Sequence, residues 1–233
     1  MNERLERLRE KMRERGIDVY VVPTSDFHES EYVGEHFACR KYITGFTGSA
    51  GTAVVTMTEA GLWTDGRYFV QASGQLKGSD VALMKMGVEG VPTVLEYIGQ
   101  KLPERGKLGF DGRVINELLG EDMEAAVSGK HGTVVYGEDL VGMIWEDRPA
   151  LSREPVWILD EKYCGKSAGE KIGDLRRAMK QAGADVHVLT ALDDIVWLLN
   201  IRGNDVPCNP VVLSYLVVTD SQVLFFVQEE ALG

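Results

Sequence analysis

The stretch LREKMRERGIDVYVV, residues 8–22, combines a helix, a glycine and a strand in fifteen residues. Leu8 and Met12 are four apart, as on one face of a helix, and the residues after Gly16 are largely β-branched. The same arrangement returns as LRRAMKQAGADVHVL, residues 175–189, at a constant offset of 167, and seven of the fifteen positions are identical. We interpret the pair as an internal duplication of one α/β domain.

The residues around these two stretches alternate between helical and strand patterns. This alternation predicts an α/β fold with a mixed sheet. Asn2 is expected to cap the first helix, and Thr190 and Asp193 to form a capping box before the last one. Strands are predicted at 17–23, 81–86, 107–110 and 132–136, a β-rich patch at 52–63, and further helices at 68–76, 92–102, 114–127 and 191–200.

A breaker-rich segment, EDRPALSREPVW at residues 146–157, predicts a domain boundary. We therefore predict a complete first domain at residues 1–157 and the first part of a related domain at residues 158–233. The second copy corresponds to the first only as far as about Thr64. Half a domain leaves a sheet face and strand edges uncovered. Either the chain is a fragment, or its C-terminal strands pair with another molecule.

Net charge and composition exclude several classes of partner. The 233 residues carry a formal net charge of −11, with 44% hydrophobic and 26% charged residues. Because an acidic chain repels nucleic-acid phosphates and anionic lipids, we expect neither as a partner. The chain has no apolar signal segment, and its three cysteines, Cys39, Cys164 and Cys208, lack CxxC spacing. These features predict a cytoplasmic protein.

The glycine-rich stretch YITGFTGSAGTAVVT, residues 42–56, raises the question of phosphate binding. A phosphate loop has the spacing G-x-G-x-x-G or G-x-x-x-x-G-K-[ST] and enters a helix. Here Gly45, Gly48 and Gly51 are three apart, no lysine follows, and the next residues are typical of a strand. We interpret them as glycines that permit a positive φ and close approach in a loop between strands.

The segment His28, Glu29, Glu31, Glu35 and His36 has the chemistry of metal ligands without their spacing. The two histidines are eight apart, and the order is not H-E-x-x-H. We interpret the segment as a solvated acidic surface and expect no metal on this chain.

Six segments together resemble a known family. Those at 26–32 (DFHESEY), 43–52 (ITGFTGSAGT) and 62–72 (LWTDGRYFVQA) closely resemble the first domain of three-domain Xaa-Pro aminopeptidases, the aminopeptidase P family. The segment TALDDIVWLLNIRGNDVPCNPVV, residues 190–212, resembles the start of that family's second domain, and MKMG and IWEDRP also match in order. The resemblance covers essentially the whole chain and implies a creatinase/prolidase N-terminal-type fold, partly duplicated.

The resemblance implies a chemistry whose residues have no counterpart here. In that family, a third, pita-bread domain holds two divalent metal ions, usually Mn²⁺, on Asp, Asp, His, Glu and Glu side chains. Their bridging water attacks the peptide bond before a proline. The resemblance therefore identifies the chain as the non-catalytic N-terminal portion of a homodimeric metallopeptidase that hydrolyses Xaa-Pro peptides. We expect this portion to serve dimerisation and active-site access, and to be inactive alone.

Two groups of residues are candidates for the substrate rim or the subunit interface. Arg67 and Tyr68 follow a predicted cap at Asp65, and in this family the N-terminal domain lies near the neighbouring subunit's active site. Arg202, Asp205 and Asn209 are predicted to face the absent catalytic domain. In both groups, local ion pairs and loop packing are the alternative explanation.

Two other identities are considered. A free-standing, non-catalytic interaction module on a peptidase-derived scaffold would need a self-sufficient fold, which the incomplete second copy disfavours. Prolidase and creatinase usually have one N-terminal domain, so the duplication disfavours them as well.

Overall fold

The structure is a computed structural model that describes residues 3–233. Asn2, the predicted cap of the first helix, lies outside the described residues. The chain divides into two compact units. The first contains the residues up to Glu31 together with Glu35–Pro149, and the second contains Tyr32–Gly34 and Ala150–Gly233. None of the helices within residues 3–233 has the length and apolar content needed to cross a membrane.

The first unit is built on a six-stranded mixed sheet with the order β4-β3-β2-β1-β5-β6. The β1–β2 and β2–β3 pairs are antiparallel, whereas the β3–β4, β1–β5 and β5–β6 pairs are parallel. This arrangement confirms the predicted α/β class with a mixed sheet. The elements are α1 (Glu3–Arg15), β1 (Val19–Pro23), α2 (Cys39–Thr44), β2 (Thr52–Thr56), β3 (Ala60–Thr64), α3 (Phe69–Gln75), β4 (Ala82–Lys85), α4 (Val94–Lys101), β5 (Lys107–Phe110), α5 (Glu117–Ser128), β6 (Thr133–Val135) and α6 (Leu140–Ile144).

Helices cover both faces of this sheet, because successive residues of a strand point to opposite sides. Val19 and Val21 of β1 are buried in a core to which α4 and α5 contribute. Tyr20 and Val22, the alternate residues, are buried in a second core to which α1 and α6 contribute. A central strand of this kind is therefore apolar at every position.

The second unit has a three-stranded antiparallel sheet with the order β11-β10-β8 and a short separate β7–β9 pair. Helices α8 and α9 bury one face of the larger sheet, where Leu189, Leu216 and Val218 are at most 8% exposed. The elements are β7 (Trp157–Ile158), α7 (Glu161–Cys164), α8 (Ala168–Ala182), β8 (Val186–Leu189), α9 (Leu192–Leu199), β9 (Ile201–Arg202), β10 (Ser214–Thr219) and β11 (Val223–Val227).

The order of elements confirms a partial duplication. Strands β8, β10 and β11 repeat β1, β2 and β3, and in both units the first strand pairs antiparallel with the second. The short helices before the second strands, α2 and α9, both end on a left-handed residue, Gly45 with φ 75° and Asn200 with φ 53°. The repeat stops after the third strand and one 3₁₀ turn.

Several predicted boundaries were wrong. The helix expected from Pro92 begins at Val94, because Thr93 forms a capping box with Glu96. The helix expected from Val114 begins only after Asn116, which caps it. Helix α9 begins at Leu192 with Ala191 at its cap position, one residue later than the predicted start at Ala191. Helices α2, α6 and α7 were not predicted.

Candidate functional site

The glycine-rich loop lies between helix α2 and strand β2, and not between two strands as predicted. Its carbonyl groups point at a cation: Arg40 donates to the carbonyl oxygens of Phe46 and Gly48, and to the hydroxyl of Thr24 at 2.9 Å. Arg40 is only 4% exposed, and burial lowers its pKa to about 10. A phosphate loop needs converging N–H groups, so converging carbonyls rule out that function here.

Each glycine of the loop has its own structural reason. Gly45 takes the left-handed conformation at the end of α2. A Cβ atom on Gly48 would lie 2.2 Å from the Phe46 ring, and one on Gly51 would lie 2.9 Å from the carbonyl oxygen of Trp63. The predicted roles, positive φ and close approach, are confirmed.

The candidate residues Arg67 and Tyr68 follow strand β3 in a 3₁₀ turn that Asp65 caps. Arg67 forms a two-point ion pair with Asp65, with both N–O distances 2.9 Å. The hydrogen bonds from Arg67 hold the pKa of Asp65 at about 2. The Arg67 side chain is nevertheless 67% exposed, so the guanidinium remains accessible to a partner.

Tyr68 is half-buried and is held inside the unit. Its hydroxyl lies 2.7 Å from Ser49 Oγ, and its ring meets the Phe46 ring edge to face. These contacts fix Tyr68 against the glycine-rich loop. Of the two candidates, Arg67 has the side chain that a substrate or neighbouring subunit can reach.

The second candidate group, at the end of β9 and in the loop that follows it, is held by local hydrogen bonds. Arg202 donates to the carbonyl oxygens of Val196 and Ile201, 3.0 and 2.7 Å away, rather than to Asp205. Asp205 is 6% exposed and accepts the N–H of Leu213 through Oδ2 at 2.7 Å. Its other oxygen, Oδ1, is buried without a hydrogen-bond partner among residues 3–233.

Asn209, the third residue of this group, contributes through its backbone. Its N–H donates to the carbonyl of Val206 at 3.2 Å, and its own carbonyl accepts the N–H of Val211 at 2.8 Å. These bonds close a tight turn. The expected alternative, loop packing, is thus visible in the structure, although the partners are backbone groups and not the predicted Arg202–Asp205 pair.

The segment between His28 and His36 has no metal-ligand arrangement. His36 Nδ1 lies 2.8 Å from the carbonyl oxygen of Pro149, and burial lowers the pKa of its imidazole. Glu35 pairs with Lys41 at 3.2 Å. Throughout the part of the chain that the structure describes, no three His, Cys, Asp or Glu side chains are grouped to hold a metal ion.

Sequence reasoning missed a charged cluster at the carboxyl ends of β1 and β5. Arg148 pairs with Asp139 at 2.5 Å, and Arg113 pairs with Asp111 at 2.8 Å and approaches Asp139 at 3.5 Å. The cluster borders a cavity of about 20 Å³. Because β1 and β5 are parallel neighbours whose connections leave in opposite directions, this is the usual position of a ligand crevice.

The size of this cavity decides what it can hold. About 20 Å³ is enough for one water molecule and not for a peptide. Cys39 also lines the cavity, and burial raises its pKa to about 12, so the thiol is not activated. The cluster therefore joins loops to the sheet. Its sequence signal was a charged residue directly after a strand, Asp111 after β5.

The comparisons with known proteins agree with this geometry. Residues 4–140 and residues 147–233 each match the Creatinase/Prolidase N-terminal domain family. The chain is 44% identical over 99% of its length to a probable Xaa-Pro aminopeptidase P of Aspergillus niger, and 44% identical over 91% of its length to aminopeptidase P2 of Arabidopsis thaliana.

A solved structure shows the same fold. An X-prolyl aminopeptidase from Caenorhabditis elegans, described as a cytosolic enzyme with a di-nuclear active site, superposes with a TM-score of 0.91 at 37% identity over 99% of this chain. The chain spans only part of these proteins: 38% of the Aspergillus protein, 30% of the Arabidopsis protein and 39% of the Caenorhabditis chain.

Proposed function

Since the chain belongs to the creatinase/prolidase N-terminal domain family, we propose that it is the N-terminal, non-catalytic portion of an Xaa-Pro aminopeptidase. The observation that carries the proposal is the match over 99% of the chain to proteins named Xaa-Pro aminopeptidase P, at 41–44% identity. The enzyme of the proposal removes an N-terminal residue that precedes proline, and it works in the cytoplasm.

The catalytic metal ions of this enzyme are assigned outside the chain. The Caenorhabditis relative is described as having a di-nuclear active site, but the residues described here contain no group of three metal-ligating side chains. The side chains present therefore do not fit a metal centre. We assign two divalent ions, Mn²⁺ by family resemblance, to the part of the enzyme that the relatives have and this chain does not span.

The proposed role of this portion is to form the homodimer and to shape access to the active site. Arg67 supports a rim or interface role because its guanidinium is exposed while its position is fixed by Asp65. Asp205 remains in the proposal as a further candidate, although its Oδ1, unpartnered among residues 3–233, is buried within the loop. Tyr68, Arg202 and Asn209 remain in the proposal as further candidates for the substrate rim or the interface. The domain limits of 1–157 and 158–233 also remain predictions.

Hydrolysis of an Xaa-Pro peptide tests the proposal. The full-length protein with Mn²⁺ should release the residue before proline, whereas residues 1–233 alone should not. Arg67→Ala in the full-length protein should raise KM more than it lowers kcat, and Arg113→Ala, which removes an internal ion pair, serves as the matched control. Absence of hydrolysis by the full-length protein, or turnover by residues 1–233, contradicts the proposal.

A further inference from the structure

The first unit has an apolar cavity at the end of strand β4. Its volume is about 280 Å³, close to the roughly 300 Å³ at which ligand pockets begin. A cavity of about 150 Å³ is enough to bind benzene, so this one can hold a large apolar side chain. The residues that line it come from β3, from the segment after β4 and from the first turn of α4, and include Trp63, Met86, Val91, Pro92, Val94 and Leu95.

Hydrogen bonds hold the wall of this cavity in place. Trp63 lines it from the sheet, and its indole N–H donates to the carbonyl oxygen of Pro92 at 2.7 Å. The N–H of Val91 donates to the carbonyl oxygen of Val88 at 3.1 Å, which closes a turn in the segment after β4. Because the wall is already ordered, binding does not have to order it.

The surface around the cavity is apolar as well. Met86 and Val88 are 52% and 44% exposed, and an apolar patch that surrounds a concave site usually marks a binding surface. The helices of the first unit already cover both faces of its sheet. The cavity is therefore not a gap left by an absent layer.

The segment that forms the cavity carries only negative charge. Residues 86–100 contain Glu89 and Glu96 and no lysine, arginine or histidine. Glu96 accepts the N–H of Thr93, a residue that lines the cavity, at 2.7 Å. This bond lowers the pKa of the Glu96 carboxyl group, so an anionic carboxylate is held next to the cavity wall.

The basic residues on either side of this segment are engaged elsewhere. Lys101 pairs with Glu59 at 2.8 Å, and the ammonium group of Lys85 lies 5.5 Å from the centre of the Phe69 ring, on α3. The negative charge beside the cavity is therefore available to a ligand. The ligand that fits combines a large apolar group with a positive charge next to it.

We propose that this cavity binds the N-terminal residue of a peptide. Its apolar side chain enters the cavity, and its protonated α-amino group faces Glu96. An α-amino group suits this arrangement because it lies beside the side chain, as the carboxylate lies beside the cavity wall. The choice of a peptide rests on the proposed function, in which the enzyme meets peptides with free N-termini.

Titration of the 233-residue chain with matched dipeptide amides tests the inference. The readout is the NMR signal of the Met86 methyl group in protein labelled at methionine methyls, and Met143, 44% exposed on α6, is the internal control. Leu-Pro-amide should shift the Met86 signal in a saturable way and leave that of Met143 unchanged. Gly-Pro-amide, which lacks the apolar side chain, should bind at least about tenfold more weakly. N-acetyl-Leu-Pro-amide, which lacks the charge, should bind about three- to fivefold more weakly.

A charge variant separates the two parts of the site. Glu96→Gln removes the charge and keeps the capping box, because glutamine can make the same hydrogen bonds. The affinity for Leu-Pro-amide should fall about three- to fivefold, whereas the affinity for N-acetyl-Leu-Pro-amide should stay the same. Glu170→Gln, the same replacement in the capping box of α8, is the matched control and should change neither affinity.

Three results overturn the inference. If no dipeptide amide shifts the Met86 signal, or if Gly-Pro-amide binds as tightly as Leu-Pro-amide, the cavity does not bind the side chain. If the acetylated and free dipeptides bind equally and Glu96→Gln has no effect, the charge does not select the ligand. Tighter binding of N-acetyl-lysinamide than of Leu-Pro-amide would identify a lysine side chain as the occupant.

The same measurements separate this inference from the proposed function. Peptide hydrolysis is measured on the full-length protein, whereas binding is measured on the 233-residue chain. Hydrolysis without binding at Met86 contradicts this inference alone. Binding at Met86 without hydrolysis by the full-length protein contradicts the proposed function alone.

Discussion

Replacing Arg40 with methionine tests whether the glycine-rich loop depends on a buried cation. Methionine keeps an unbranched apolar stem and removes the guanidinium. The side chain is 4% exposed and donates to Thr24 Oγ1 and to the carbonyl oxygens of Phe46 and Gly48. The substitution therefore leaves two buried carbonyls without their donor, while removing a charge from an environment that disfavours it.

The magnitudes of these two effects decide whether the substitution lowers or raises the free energy of unfolding. A hydrogen bond to a charged group contributes about 1.5–3 kcal/mol, so three bonds contribute roughly 5–9 kcal/mol. Burial lowers the pKa of Arg40 from its ordinary value to about 10. At about 1.4 kcal/mol per pKa unit, relief from this desolvation returns roughly 3 kcal/mol. The lost bonds exceed the relief, so we expect Arg40→Met to lower the free energy of unfolding by roughly 2–6 kcal/mol.

Urea denaturation followed by tryptophan fluorescence measures the effect. Arg67→Met is the matched control, because it removes an exposed ion pair that contributes about 1 kcal/mol or less. The midpoint should fall clearly for Arg40→Met and little for Arg67→Met. Amide exchange in β2, which the loop enters, should accelerate only in Arg40→Met. An unchanged or raised midpoint for Arg40→Met would refute the reasoning, since it would mean that the charge costs more than its bonds contribute.

Three further predictions concern single side chains. Gly48→Ala should lower the free energy of unfolding by about 1–3 kcal/mol, because the added methyl overlaps the Phe46 ring. Gly74→Ala, in open space within α3, should raise it by up to about 1 kcal/mol. Equal urea midpoints for the two variants would contradict both expectations. With a thiol reagent at pH 8, the exposed Cys208 should react quickly, while Cys39, whose pKa burial raises to about 12, should react only upon unfolding. A fast phase that survives when both Cys164 and Cys208 are replaced by serine would be the contrary result. Thr93→Ala should lower the free energy of unfolding by about 1 kcal/mol through loss of the α4 cap, and no change by urea titration would exclude that role.

Local signals in the sequence were sufficient for much of the fold. The helix–glycine–strand unit at residues 8–22 predicted α1 and β1, because helical spacing and β-branched runs are properties of neighbouring residues. The cap at Asp65 was predicted for the same reason, since the side chain accepts from an N–H two residues away. The duplication was visible because it preserved such local patterns.

Contacts between distant residues could not be predicted in this way. Arg148 meets Asp139, but it also donates to the carbonyl of His36, 112 positions earlier in the chain. No spacing rule relates such residues. The start of β10 at Ser214 has no local signal either, because the preceding loop folds back on Asp205, which accepts the N–H of Leu213.

The candidate site shows the same difference between local signals and contacts made by distant residues. The sequence singled out Arg67 because it follows a strand and a cap, and its exposure agrees with that choice. It also singled out Asp205, but nothing in the pattern showed that one carboxylate oxygen would be buried without a donor. Whether a charged side chain is satisfied depends on packing from elsewhere in the chain, which a single sequence does not display.

The paired left-handed caps have a consequence for how old duplications are detected. Gly45 and Asn200 are different residue types, so a comparison of residue identities scores the position as a mismatch. Both residues tolerate the same backbone dihedral, and that dihedral is what the two copies hold in common. Asn200 then does something glycine cannot: its amide bonds to Lys171 Nζ at 2.7 Å and to the carbonyl of Lys166 at 2.9 Å. In the second unit this position thus links two segments through hydrogen bonds, whereas in the first unit it only ends a helix. The path of the backbone is the same in both units.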